Sequence, residues 1–130
     1  MKFLVAYNGS AESRSALDLA TENAKRDGAQ IFVVSSSEGG KSETPEEVAK
    51  ITEDLQDIKK SLQEASVDCE VDQLARGLSP GEDVVLYADE NRVDHIYVGI
   101  QKKSKTRKLL LGSTAQYIIL KANCPVTSVK

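Results

Sequence analysis

The chain has 130 residues, with 17 Lys and Arg against 20 Asp and Glu, one His, two Cys and a formal charge of −3. Hydrophobic residues make up 40% of it and charged residues 28%, which excludes a disordered tail. No apolar run approaches the ~20 residues that span a bilayer, and the apolar stretch Phe3–Tyr7 is shorter than the ~7–15 residues of a secretory core, so the expected location is cytoplasmic.

The length fits one domain over residues 1–130, which can bury well over half of its unfolded surface. The first strand is expected over Lys2–Tyr7, an apolar run too short for a helix, ending at the turn signal Asn8-Gly9-Ser10. Ser10 can cap the helix that follows, in which Ala16, Ala20 and Ala24 recur every four residues until Asp27-Gly28 ends it. A second strand is expected over Gln30–Ser35, apolar on both sides and therefore covered by helices on both faces. The stretch from Ser36 to Glu43 reads as a polar loop.

Thr44-Pro45-Glu46-Glu47 is a strong helix start: Thr44 can accept from a first-turn N–H, Pro45 suits the first helical position and Glu47 can reach back. Val48, Ile51, Leu55, Ile58 and Leu62 follow at spacings of three and four, one amphipathic face made to pack on a sheet. The third strand, Asp68–Leu74, alternates apolar and acidic residues as a half-exposed edge strand does. Ser79-Pro80-Gly81-Glu82 is a second capping box and opens a helix through Val84, Val85, Leu86 and Ala88. A fourth strand, His95–Val98, stops at Gly99. A last helix starts near Gly112-Ser113 and runs through Ile118 to a cap at Asn123, and a short strand closes the chain at Pro125–Val129.

Strands alternating with helices imply a three-layer α/β fold, a doubly wound parallel five-stranded sheet with helices on both faces. Such sheets bind ligands outside the carboxyl ends of their strands, where strand order reverses. The candidate residues are therefore those just after each strand: Asn8-Gly9-Ser10, Ser35-Ser36, Arg76-Gly77 and the segment from Gly99 to Ser113.

That last segment concentrates charge. Lys102, Lys103, Lys105, Arg107 and Lys108 lie in it without one acid, while the stretch Glu43–Glu64 is mostly acidic. A net acidic chain with one short basic stretch is a poor nucleic-acid binder, because most of its surface repels phosphate, but such a stretch can hold one compact anion. A glycine after a strand allows close backbone approach to a phosphate. A Gly-Ser at a helix start adds free N–H groups, the positive end of the dipole and a hydroxyl. The same pair is equally a plain helix start after a solvated loop.

Other chemistries lack their residues. GxxxxGK[ST], GxGxxG and CxxC are absent, and the first strand ends in Tyr7-Asn8 rather than in phospho-accepting acids. Cys69 and Cys124 read as small buried hydrophobes, since two cysteines build no disulfide framework and one His leaves no zinc set. His95 lies roughly 13 Å back along its strand from Gly99, at the end away from the crevice, and reads as structural. No paired acid and base for hydrolysis is visible.

The residues just described resemble the universal stress protein family along nearly the whole chain. The resemblance is carried by Val5-Ala6-Tyr7-Asn8-Gly9-Ser10 with Ser13 and Ala16-Leu17, by Asp94-His95-Ile96-Tyr97-Val98-Gly99, by Leu110-Leu111-Gly112-Ser113-Thr114-Ala115 and by Asn123-Cys124-Pro125-Val126. Nucleotide-binding members share Gly-x2-Gly-x9-Gly-Ser/Thr. Gly99, Gly112 and Ser113 match it, and Lys102 stands at the second glycine. The resemblance implies strand order 3-2-1-4-5, related to the adenine nucleotide alpha-hydrolase-like and flavodoxin-like folds, and a non-catalytic role in stress response or signalling.

It also implies ATP or a related adenine nucleotide, with or without Mg²⁺, in a crevice at the ends of strands 1 and 4. Gly99, Lys102, Gly112, Ser113 and Thr114 would hold phosphates and ribose. Ala6, Tyr7 and Asn8 would hold adenosine, and backbone near Ser36 would meet adenine. A homodimer through Val126–Val129 is implied as well. Asn8 replaces the family's usual Asp and can hydrogen-bond without charge. At position 102 a side chain either crowds the phosphates or meets them with its ammonium. The alternative is therefore a dimeric interaction module without nucleotide. A pyrophosphatase of the related hydrolase group would need Ser-Gly-Gly-x-Asp-Ser after the first strand, where this chain reads Asn8-Gly9-Ser10-Ala11-Glu12-Ser13.

Overall fold

The computed structural model describes residues 1–39, 43–101 and 111–130. In chain order these form β1 (Lys2–Ala6), α1 (Ala11–Asp27), β2 (Gln30–Ser36), α2 (Pro45–Glu64), β3 (Cys69–Leu74), α3 (Pro80–Glu90), β4 (His95–Gly99), α4 (Ser113–Lys121) and β5 (Val126–Val129). The strands make one sheet of order β3-β2-β1-β4-β5, parallel at every pairing. Lys102, Lys103, Lys105, Arg107 and Lys108 fall outside the described residues.

The winding follows from chirality. Each crossover between parallel strands is right-handed, so connections running outward from β1 in opposite directions cover opposite faces. On one face Ala16, Ala20 and Ala24 of α1 and Leu55, Ile58 and Leu62 of α2 pack on Phe3, Val5, Ile31 and Val33. On the other, Val84, Tyr87 and Ala88 of α3 and Ala115 and Ile118 of α4 pack on Leu4, Phe32, Val34, Ile96 and Val98. The alternation along β1 thus feeds both cores, as a strand covered on both sides requires. Cys69 and Cys124 are half-buried rather than buried, because they pack against the edges of the first and second clusters; the free thiols thus lie on opposite faces, and partial burial pushes both pKa values up.

The helix starts follow their sequence signals. Ser10, Thr44 and Ser79 accept from the N–H groups of Ser13, Glu47 and Glu82. Glu82 does not close its box by reaching back to a backbone N–H. Its Oε1 accepts from the Ser79 hydroxyl at 2.7 Å instead. Some boundaries differ from expectation. β2 keeps Ser36, because Ser36 aligns with Leu74 of β3 and the ladder extends to Ser37 N–H, which donates to Leu74 O at 2.8 Å. α4 stops at Lys121 with Ala122, not Asn123, as its cap; Ala122 is extended (φ −62°, ψ 143°) and leads into β5. Val48, at the start of the apolar stripe of α2, is 37% exposed and lines a cavity beside Asn8 instead of joining the core.

His95 sits at the amino end of β4, aligned with Phe3 near the start of β1, as expected for a residue away from the crevice. Its ring stacks at 4.7 Å from Tyr97 and its Nε2 is 2.6 Å from Thr127 Oγ1 of β5. Burial disfavours the imidazolium, so the His95 pKa lies below its ordinary value of about 6.5.

Gly99, at the other end of β4, owes its identity to packing. A Cβ there would lie 2.5 Å from the Glu12 carbonyl carbon and 2.6 Å from Ser13 N, both backbone atoms at the start of α1. Close approach to a phosphate is therefore not needed to explain this glycine; the neighbouring helix already demands it.

Two outcomes follow from this packing. Gly99→Ala should lower stability by about 1–3 kcal/mol, read from urea unfolding, since backbone must move to admit the methyl group. As pH falls through about 6.5 the unfolded chain binds a proton at His95 that the folded chain refuses. That contribution to stability is present above this pH and lost below it. The urea midpoint should fall between about pH 7.5 and about pH 5.5, and fall less in His95→Gln.

Candidate functional site

β1 and β4 lie side by side, yet their connections leave toward opposite faces, which opens a crevice at their carboxyl ends. A cavity of about 410 Å³ fills it, within the usual size range of ligand clefts. Ala6, Tyr7, Asn8, Ser36, Gly99, Gly112, Ser113 and Thr114 all line it, so the structure brings together every predicted site residue that it describes. Lys102 is the remaining one and lies outside the described residues.

Each floor strand contributes a short stretch. Ala6 and Val98 are aligned across β1 and β4. Tyr7 continues the β1 ladder by one bond, its N–H donating to Val34 O at 2.9 Å. The chain then turns sharply at Gly9, whose φ of +83° favours glycine. Asn8 shapes this turn: its Oδ1 accepts from Ser10 N–H at 3.0 Å, an Asx turn leading into the cap of α1. The wall opposite is the start of α4. Its cap is Gly112, which offers no side-chain acceptor, so the first-turn N–H groups of α4 are not capped from that position. Gly112 has ordinary angles (φ −60°, ψ 154°), and a Cβ added to it would meet no described atom within 4 Å. Unlike Gly99, it is not required by any described neighbour.

Tyr7 is placed differently from its neighbours. Its ring is 2% exposed and belongs to the α1–α2 core, so only its backbone side faces the crevice. Its hydroxyl donates to Asp54 Oδ2 at 2.8 Å, and burial together with that carboxylate pushes the phenol pKa up to about 12. Asp54, 6% exposed on α2, also accepts from Lys50 Nζ at 2.8 Å and Arg14 Nη2 at 3.1 Å. The Lys50 bond outweighs burial and holds the Asp54 carboxyl below the usual carboxylate range. β1, α1 and α2 are thereby tied at the rim of the crevice.

A second buried carboxylate serves the same rim from the other face. Asp83, fully buried in the first turn of α3, accepts from Ser36 Oγ at 2.7 Å and from Arg76 Nε at 2.6 Å. Arg76 also donates to Asp83 O at 3.3 Å and to Glu90 Oε1 at 2.7 Å. Neither aspartate was read as a site residue from the sequence. Asp54 had a signal: it falls three after Ile51 and four before Ile58, inside the apolar stripe, where a carboxylate needs partners. Asp83 had a weaker one, four before the buried Tyr87.

On the α2 side of Asn8 lies another cavity of about 510 Å³. It lacks Gly99, Gly112 and Ser113, and sets Glu43, Glu46, Glu47 and Asp54 against Arg14 and Lys50. Among described residues the first cavity carries the same excess of two acids, from Glu12 and Glu43, so what separates the two is the helix start at Gly112-Ser113 rather than charge. Among the described residues no helix is long and apolar enough to cross a membrane.

Known proteins share this architecture. A curated "Universal stress protein" of Mycolicibacterium smegmatis is 28% identical over 98% of this chain and 95% of its own length. The solved universal stress protein of Archaeoglobus fulgidus is 34% identical, covers all of this chain and 93% of its own, and superposes with a TM-score of 0.84. A second structure from that organism, described as a universal stress protein in complex with dAMP, is 31% identical over all of this chain and 98% of its own, with a TM-score of 0.81. The sequence profile of the universal stress protein family matches residues 1–130, and the chain belongs to that family.

Proposed function

We propose that this chain binds an adenine nucleotide, ATP or a close relative, in the crevice between β1, β4 and the start of α4. One observation carries the reading: Asn8, Ser36, Gly99, Gly112, Ser113 and Thr114, distant in sequence, line one cavity of about 410 Å³. The phosphates would lie against the first-turn N–H groups of α4, beside Ser113 and Thr114, where the helix dipole favours negative charge. Gly112 fits that role because no described atom lies within 4 Å of where its Cβ would stand, at the same place. Adenosine would lie toward Ala6, Asn8 and Ser36. The 31% identical relative solved with dAMP supports the adenine class. Lys102 would meet the phosphates from the basic segment, and a magnesium ion would arrive on the phosphates themselves.

Residues 1–130 are read as one cytoplasmic domain acting in stress response or signalling by binding rather than turnover. The only histidine, His95, is aligned with Phe3, at the opposite end of β1 from the crevice, which supports that choice. Homodimerisation through Val126–Val129 is part of the proposal, since β5 pairs with β4 on one side and ends the sheet on the other.

Calorimetric titration with ATP and Mg²⁺ should show binding with micromolar-scale affinity. No heat, and no nucleotide adduct in native mass spectrometry, would sink the reading. Ser113→Asp should weaken binding about tenfold or more, because a carboxylate beside phosphate is repulsive. Gly112→Ala should leave urea stability within about 0.5 kcal/mol of the parent, yet weaken nucleotide binding by setting a methyl group against the phosphates.

A further inference from the structure

Ser36 ends β2 at the lip of the crevice, and its hydroxyl is committed. A serine hydroxyl has one proton to donate and two lone pairs to accept with. Ser36 Oγ lies 2.7 Å from Asp83 Oδ2, and a carboxylate paired with a guanidinium accepts only, so the proton points at Asp83. Asp83 cannot turn away. Its other oxygen takes Arg76 Nε at 2.6 Å, its backbone carbonyl takes Arg76 Nη2 at 3.3 Å, and the side chain is fully buried. Arg76 is itself anchored outward on Glu90 at 2.7 Å.

We propose that Asp83 fixes Ser36 as a hydrogen-bond acceptor toward the crevice, so that the ligand group meeting Ser36 must be a donor. In an adenine nucleotide that donor is the 6-amino group or a ribose hydroxyl. Where the 6-amino group is that donor, a purine carrying a 6-oxo group sets acceptor against acceptor and is rejected, because neither lone pair finds a proton; where a ribose hydroxyl is the donor, its deoxy analogue is the one disfavoured. Ser36 is then the residue that reads ligand polarity, and Asp83 is its positioning residue, acting from the far side of the pocket wall. The inference rests on the adenine-nucleotide reading and adds to it a reason for discrimination between purines.

The test compares AMP, IMP, 2′-deoxy-AMP and 3′-deoxy-AMP by calorimetry on the full chain. If the 6-amino group meets Ser36, the parent should prefer AMP over IMP by about tenfold, with Ser36→Ala losing most of that ratio through weaker AMP binding. If a ribose hydroxyl meets it, the preference and its loss in Ser36→Ala should appear against one of the deoxy nucleotides instead. Asp83→Asn, which frees the Ser36 proton to rotate, should compress the same ratio. Loss of stability alone would lower every affinity and leave the ratios unchanged. Should Asp83→Asn fail to fold, Ser36→Ala decides by itself. Parent protein that binds AMP with ratios untouched by Ser36→Ala overturns this inference while leaving nucleotide binding intact. Parent protein that binds none of the four overturns the nucleotide reading, and this inference with it.

Discussion

Right-handed crossover of parallel strands is the constraint on which the rest of this structure depends. β1 sits at the centre of the order β3-β2-β1-β4-β5, and the chain winds outward from it in both directions. Because each crossover must be right-handed, α1 and α2 cover one face and α3 and α4 the other. Between β1 and β4 the two windings part, which leaves a crevice at the carboxyl ends of those strands. The crevice is therefore a product of chirality, and the residues at the strand ends and helix starts around it furnish it.

Furnishing it raises a second problem, since loop residues at a strand end have few neighbours to hold them. Two buried aspartates meet this need from opposite faces. Asp54 gathers Tyr7, Arg14 and Lys50, tying the end of β1 and the start of α1 to the middle of α2. Asp83 gathers Ser36 and Arg76, tying β2 and the segment after β3 to α3. Both carboxylates are satisfied on both oxygens, which is what makes burial of their charge tolerable. Backbone packing does the rest: the Gly99 Cα is pressed against the first residues of α1, bringing the start of that helix and the end of β4 to one rim.

The elements were legible because each is marked locally. Ser10, Thr44 and Ser79 cap the helices they precede, and Pro45 and Pro80 sit at first helical positions. The boundaries were less so. Ser36 reads as loop by composition, yet the pairing of Ser36 with Leu74 keeps it in β2, and that is a long-range contact no local pattern records. The glycines divide in the same way. Gly99 and Gly112 look alike as sequence, one after a strand and one before a helix. Only the fold separates a glycine held by a neighbouring backbone from one that no described neighbour requires.

The sequence by itself determined the alternation of strands and helices, the parallel sheet and the set of strand-end residues that could form a site. It could do so because hydrophobic periodicity, turns and caps are local and every crossover has the same hand. The tertiary structure decided which of those residues meet and what each is free to do. Tyr7 turns its ring into the core and gives its hydroxyl to Asp54, and Ser36 gives its proton to Asp83, 47 positions further along the chain in each case. Hydrogen-bond direction depends on the partner across the fold, and that partner is chosen by packing, which no stretch of neighbouring residues encodes.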